Sequence, residues 1–189
     1  MQDKIHKYLT GHIRVMEQVA GSLDTAIAAA VAQTVTTLRR GNKVLVMGNG
    51  GSAADAQHLA AELVGRFLLE RKALPAVALT TDSSILTAVG NDYGFDQVFS
   101  RQVEALAAPG DLVIGISTSG NSANVHRALQ AAADQRCNTL ALLGRDGGTI
   151  AGLVDLALVI PSQHTPFIQE AHATIIHLLC DLVEQEMFG

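Results

Sequence analysis

Residues 44–66 read VLVMGNGGSAADAQHLAAELVGR, and this stretch decides the fold. Four apolar residues, Val44 to Met47, run without alternation, the pattern of a short strand buried on both faces of a parallel sheet. Gly48-Asn49-Gly50-Gly51 breaks the run, and glycine there permits tight turning and close approach of the backbone to a ligand. Ser52 is the expected cap of a following helix, with Asp55 three residues on as a partial capping box. Along that helix His58 and Glu62 are spaced i, i+4 and share one face. A pair so spaced is commonly a solvated surface pair. The glycine loop before it points instead to an imidazole and a carboxylate about one turn past a helix start that favours anions.

Working outward, strands and helices alternate from Lys43 onward. Further strands are expected at Ala76–Thr80, Leu112–Ser117, Thr139–Leu143 and Leu156–Ile160. Amphipathic segments lie around 52–66, 94–107 and 122–135, with a turn near 147–153 and a last helix near 166–187. Buried strands recurring after helices imply right-handed crossovers, hence an α/β three-layer sandwich with a five-stranded parallel sheet. Upstream, Ile5, Leu9, Ile13, Met16 and Val19 form one helical stripe, and Ala26 to Leu38 resume it after the break at Gly21-Ser22-Leu23-Asp24. Residues 1–40 therefore read as a helical hairpin, whose first helix is a candidate for packing on a neighbouring subunit.

The chain is 48% hydrophobic and 16% charged over 189 residues, as expected of a single globular domain with part of its surface hidden by self-association. A formal net charge of −5 and the lack of basic runs argue against nucleic acid as a partner. Cys137 and Cys180 have no metal-type spacing and read as reduced, buried residues. MQDKIHKYL carries no apolar signal region and no segment has 18 consecutive apolar residues, so the expectation is a cytoplasmic protein without a membrane partner.

Three further stretches carry candidate chemistry. Ser117-Thr118-Ser119-Gly120-Asn121-Ser122 repeats the first layout, strand then polar loop then helix, and suits a neutral phosphate cradle. An ordinary Ser/Asn cap needs fewer hydroxyls than the four present, and neither a Walker lysine nor a GxGxxG motif occurs. Asn91-Asp92 reads as a turn on the same rim, downstream of the polar loop Thr80–Ser84. The last helix carries Gln169, Glu170, His172 and His177 in an apolar setting; His172 fits a satisfied core histidine, His177 less so.

GNGGSAADAQHLAAELVGRF, LTTDSSILTAVGNDYGF, GISTSGNSANV and TPFIQEAHATIIH, in this order, resemble the bacterial phosphoheptose isomerases (sedoheptulose 7-phosphate isomerases), a family of the sugar-isomerase (SIS) fold group. The resemblance spans essentially the whole chain, including the terminal EMFG. It implies one SIS domain over 1–189, flavodoxin-like, with helices in 1–40 and the α/β core in 41–189. It implies an aldose–ketose isomerase that converts sedoheptulose 7-phosphate to D-glycero-D-manno-heptose 7-phosphate through an enediol. That reaction is the first step of ADP-heptose synthesis for lipopolysaccharide core or related surface glycans. By resemblance, Ser117, Thr118, Ser119 and Ser122 hold the phosphate, and Asn49, Gly50, Gly51, Asn91 and Asp92 the sugar. Glu62 and Gln169 also touch substrate. His58, Glu62, Gln169 and His177 correspond to the ligands of one zinc ion per subunit, and Glu62 and His177 to the catalytic pair.

The resemblance further implies a homotetramer with active sites near subunit interfaces. Proton transfer between C1 and C2 needs a base and an acid, roles that suit Glu62 and His177 respectively. Gln169 and His177 are separated by roughly 12 Å of helix axis, so a shared ion requires their side chains to lean together or the helix to start irregularly. Non-catalytic SIS proteins, whether associated with the bacterial replication initiator or acting as sugar-phosphate sensors, form the alternative. Glu62 and His177 are the discriminating positions, and both are present.

Overall fold

A computed structural model describes residues Met1–Gly189. Its helices are α1 (Gln2–Ser22), α2 (Asp24–Arg39), α3 (Gly51–Val64), α4 (Ser83–Asp92), α5 (Ser100–Leu106), α6 (Ala123–Asp134) and α7 (Thr165–Phe188). Its strands are β1 (Val44–Gly48), β2 (Ala76–Ala78), β3 (Leu112–Ser117), β4 (Asn138–Gly144) and β5 (Leu156–Ile160), all parallel in the order β2-β1-β3-β4-β5.

Successive strand residues serve opposite cores. Val44, Val46, Leu112, Ile114, Ile116, Leu140 and Leu142 pack under α1, α2, α3 and α7. Leu45, Met47, Val113, Ala141 and Leu143 pack under α4, α5 and α6. A strand covered on both faces must be apolar throughout, which is why β1 and β3 show no period-two pattern. The expected three-layer sandwich is the observed one. At Gly115 an added Cβ would lie 2.7 Å from Val125 Cγ1 and 2.8 Å from Leu129 Cδ1, so α6 rests directly on the β3 backbone. Cys137 and Cys180 are free and buried, as read.

Local details depart from the sequence reading. A single residue, Leu23, joins α1 to α2, and both helices use α7 as a packing partner. Ser52 does not cap α3: Gly50 holds the N-cap position at φ +57°, and Ser52 is buried in the first turn. The polar run at Thr80–Ser84 ends in a helix rather than a loop, because the Asp82 carboxylate accepts the Ile85 N–H at 2.9 Å and caps α4. Asn91 and Asp92 are thus the last residues of α4, not a turn. The single helix expected over 94–107 is instead a 3-10 turn at Phe95–Gln97 followed by α5, the entry turning at Gly94 with φ +97°.

At the opposite edge of the sheet from the loops, Asp111 ties β1 to β3. Its buried carboxylate accepts from Lys43 N (3.0 Å), Lys43 Nζ (2.5 Å), Ala108 N (2.8 Å) and Asn42 Nδ2 (3.2 Å). Burial works to raise the carboxyl pKa, but the bonds from Lys43, Ala108 and Asn42 outweigh it and hold the value below the ordinary one. Replacing Asp111 by Ala strands two backbone N–H groups and a lysine head, and should destabilise the fold by about 3 kcal/mol in urea unfolding at pH 7.

Candidate active site

In a 2-1-3-4-5 parallel sheet, the crevice for a ligand opens where the strand order reverses, beyond the carboxyl ends of β1 and β3. Gly48 pairs with Ile116 across these strands, so the loops at 48–51 and 117–122 leave the sheet side by side. Their side chains lock them together. Asn49 Nδ2 donates to Asn124 Oδ1 and Asn124 Nδ2 donates to Asn49 Oδ1, each at 2.8 Å. Asn124 Oδ1 also accepts the Val125 N–H at 2.9 Å. Both polar ends of Asn49, expected to hold sugar, therefore face Asn124.

The second loop has the form of a cradle. Ser117 Oγ and Ser122 Oγ lie 2.8 Å apart, and Ser119 Oγ accepts the Asn121 N–H at 3.1 Å. Gly120 takes φ +67°, and a Cβ there would sit 2.0 Å from the Gly147 carbonyl oxygen. Only glycine lets the loop lie this close to 147–148. Ser122 occupies the N-cap of α6 without a side-chain cap bond, and while the Val125 N–H goes to Asn124, those of Ala123 and Asn124 are left free. Free N–H groups at a helix N-terminus are what an anion site requires.

The imidazole and carboxylate groups gather on a different wall, between α3 and α7. His177 Nε2 and His58 Nε2 are 3.0 Å apart, and His58 Nε2 is 3.3 Å from Glu62 Oε1. At that separation one imidazole nitrogen donates and the other accepts. Phe67 stacks on His177 with ring centroids 5.7 Å apart. Beside the histidines is a small pocket of about 180 Å³ lined by Ala54, Asp55, His58, Ala173, Ile176 and His177. Burial raises the Asp55 carboxyl pKa, and nearby His58 pulls it the other way.

The structure brings three of the four expected metal ligands together and leaves the fourth apart. Gln169 lies against Gly51, where an added Cβ would be 2.3 Å from Gln169 Nε2. α7 is a continuous helix, so Gln169 stays two turns from His177. His58 and Glu62 stand seven and eleven residues beyond Gly51, two and three turns into α3 rather than one. Asn91 and Asp92 are exposed and bonded to each other, Nδ2 to Oδ1 at 2.8 Å.

The family model for the SIS domain matches residues 7–144. Phosphoheptose isomerase of Pelobacter propionicus is 63% identical over 189 residues, covering all of both chains. The solved phosphoheptose isomerase structure from Neisseria gonorrhoeae superposes with a TM-score of 0.93 at 46% identity, over 97% of this chain and 98% of that one. The corresponding structure from Francisella tularensis gives 0.95 at 42% identity, over the same 97% and 98%. The chain belongs to the phosphoheptose isomerase family.

Sequence reasoning missed two residues of this site. Asn124, the amide partner of Asn49, stands inside the quoted GISTSGNSAN stretch but carried no signal of its own. Phe67 follows the α3 motif and is visible only through its ring contact. His172 is the core histidine it was read to be: fully buried, with Nε2 2.9 Å from the Leu143 carbonyl oxygen. Burial drives its pKa down to about 4, against a raising contribution from that carbonyl. The unfolded chain, with an ordinary histidine near 6.5, takes up the proton first as pH falls. The stability contribution is therefore complete above about pH 6.5 and declines toward pH 4, by about 3 kcal/mol in all. His172→Leu should flatten that part of the pH dependence when urea unfolding is compared at pH 7.5 and 4.5.

Proposed function

We propose that the protein interconverts sedoheptulose 7-phosphate and D-glycero-D-manno-heptose 7-phosphate as an aldose–ketose isomerase. The observation that carries this reading is the meeting of Glu62 and His177 through His58, which lies 119 residues from His177 in sequence. The cluster lies on an accessible part of the two helices, His177 being exposed. It supplies both a proton acceptor and a proton donor, which an enediol route requires.

In the ketose-to-aldose direction Glu62 takes a proton from C1 while the C2 carbonyl oxygen receives one from His177. The enediol then returns a proton from Glu62 to C2, and the C1 hydroxyl gives its proton back to His177. Glu62 Oε1 faces His58, which leaves Oε2 for the carbon-bound proton. Ser117, Thr118, Ser119, Ser122 and the α6 N-terminus hold the phosphate, a remote handle whose binding energy orients the reacting carbons. Asn49 acts by fixing the loop, while Gly50, Gly51 and Gln169 border the sugar at the rim; Asn91 and Asp92 are assigned to the sugar by family resemblance.

The imidazole and carboxylate donors of this cluster are of the kinds zinc takes, which supports a zinc ion here. His58, Glu62 and His177 would hold it, His58 Nε2 lying 3.0 Å from His177 Nε2 and 3.3 Å from Glu62 Oε1. Bound there, zinc would supply Lewis-acid polarisation of the sugar carbonyl.

A homotetramer is the assembly we infer. Ile5, Leu9 and Ile13 are 52, 55 and 54% exposed along one stripe of α1, a face suited to a second copy. The acid–base cluster also lies two to three turns along α3 beyond the glycine loop, and a neighbouring copy presenting its rim to α3 and α7 would complete the site. No helix is long and apolar enough to cross a membrane. A cytoplasmic reaction at the start of ADP-heptose synthesis for surface glycans fits this reading.

Glu62→Gln should fold normally and lose about 10³-fold or more in kcat, followed by NMR with sedoheptulose 7-phosphate. Residual turnover near the parent rate would remove Glu62 as the base. In D₂O the parent enzyme should deliver deuterium to C2 of the aldose. Elemental analysis should find one zinc per chain in the parent and a marked loss in His58→Ala; an unchanged zinc content would overturn the ligand set.

A further inference from the structure

Two turns beyond His177 on α7, a fully buried ion pair is built into the wall that carries the acid–base cluster. Arg71 Nε donates to Glu184 Oε1 at 2.8 Å, both side chains being 1% exposed. The same carboxylate accepts the backbone N–H groups of Phe67 (2.7 Å), Leu68 (2.8 Å) and Leu69 (2.8 Å). Burial alone would raise its pKa, but the three N–H groups and Arg71 hold it at about 2. A buried charge pair needs partners for its remaining lone pairs and protons, and here each Glu184 oxygen takes two donors while all three Arg71 side-chain nitrogens are bonded.

The guanidinium does more than neutralise. Its Nη1 and Nη2 donate to the carbonyls of Glu62 (2.8 Å) and Leu63 (2.8 Å), and to those of Gly65 and Lys72, both at 3.1 Å. Orphan carbonyls at a helix C-terminus need such partners, so Arg71 is the cap of α3 at its last turn. One side chain from α7 thus grips the loop after α3, and one side chain from that loop grips the backbone of Glu62. Between these two grips the loop presents Phe67 to the face of His177.

We propose that Glu184 and Arg71 are positioning residues for catalysis, setting through the α3 terminus and Phe67 the separation of Glu62 from His177. The assignment rests on the isomerase reading above. The phosphate loops at the sheet rim do not touch this clasp, so substrate capture is left intact while proton transfer is not. Outer-shell partners of this kind alter activity by about 10–100-fold.

Two variants of the full-length protein as isolated test it, Glu184→Gln and Phe67→Leu. The first neutralises the hub. The second leaves the hub whole and removes only the ring over His177, so it folds even if Glu184→Gln does not. At a temperature well below unfolding, each should lose about 10-fold or more in kcat with KM within twofold of the parent. In protein labelled with ¹³C-histidine, the ring C–H resonances of His177 should move in both variants as the Phe67 ring leaves, while those of buried His172 stay in place. A lowered unfolding temperature with kcat, KM and His177 resonances unchanged would overturn the proposal and leave the clasp purely structural. If the parent itself fails to isomerise the sugar, the functional reading falls, and the resonance shifts alone decide the positioning.

Discussion

A parallel sheet covered on both faces has only its strand ends to offer for chemistry, and the rest of this molecule follows from that constraint. The strands cannot carry polar side chains without burying them. Function is therefore pushed into the loops beyond β1 and β3 and onto the helices that leave them. The sequence obeys this division: β1 and β3 are apolar, apart from Gly115, up to their last residues Gly48 and Ser117, where the glycine-, serine- and asparagine-rich loops begin. Two buried cores of comparable character then fix the helices on either side.

The candidate site is split by the same geometry. Phosphate-type donors stand at the rim, where backbone N–H groups are free by construction. Acid–base groups stand on the outer wall, on helices long enough to carry them away from the rim. The clasp of Glu184 and Arg71 lies at the far end of that wall and holds the loop after α3. One helix, α7, contributes to all three levels: Gln169 near the rim, His177 in the cluster and Glu184 at the base. Its unbroken course is what keeps Gln169 and His177 two turns apart.

Much of this was legible in the residues. Strands buried on both faces announce themselves as short apolar runs, so the sheet and its parallel sense were readable from five segments. His58, Glu62 and His177, named from the family motifs, do lie close together, although the depth of His58 and Glu62 along α3 is greater than the sequence suggests. What could not be read was whatever depends on a long-range partner. Asp82 looks like part of a polar loop until its carboxylate is seen on the Ile85 N–H. Ser52 looks like a cap until Gly50 takes that position in a conformation L residues avoid. Asn124, Phe67, Arg71 and Glu184 have no local pattern at all, since their meaning lies in contacts between distant segments.

The reciprocal amide pair between Asn49 and Asn124 fixes something more than two loops. It is uncharged and self-complementary, so pH and salt leave it untouched over the range in which a phosphosugar changes its own charge. The glycine loop and the hydroxyl loop are therefore tied directly to one another. A ligand anchored by its phosphate meets the sugar-facing backbone at a constant offset, as an object laid against the zero mark of a ruler. Two loops that leave different strands thus share one origin at the mouth of the crevice.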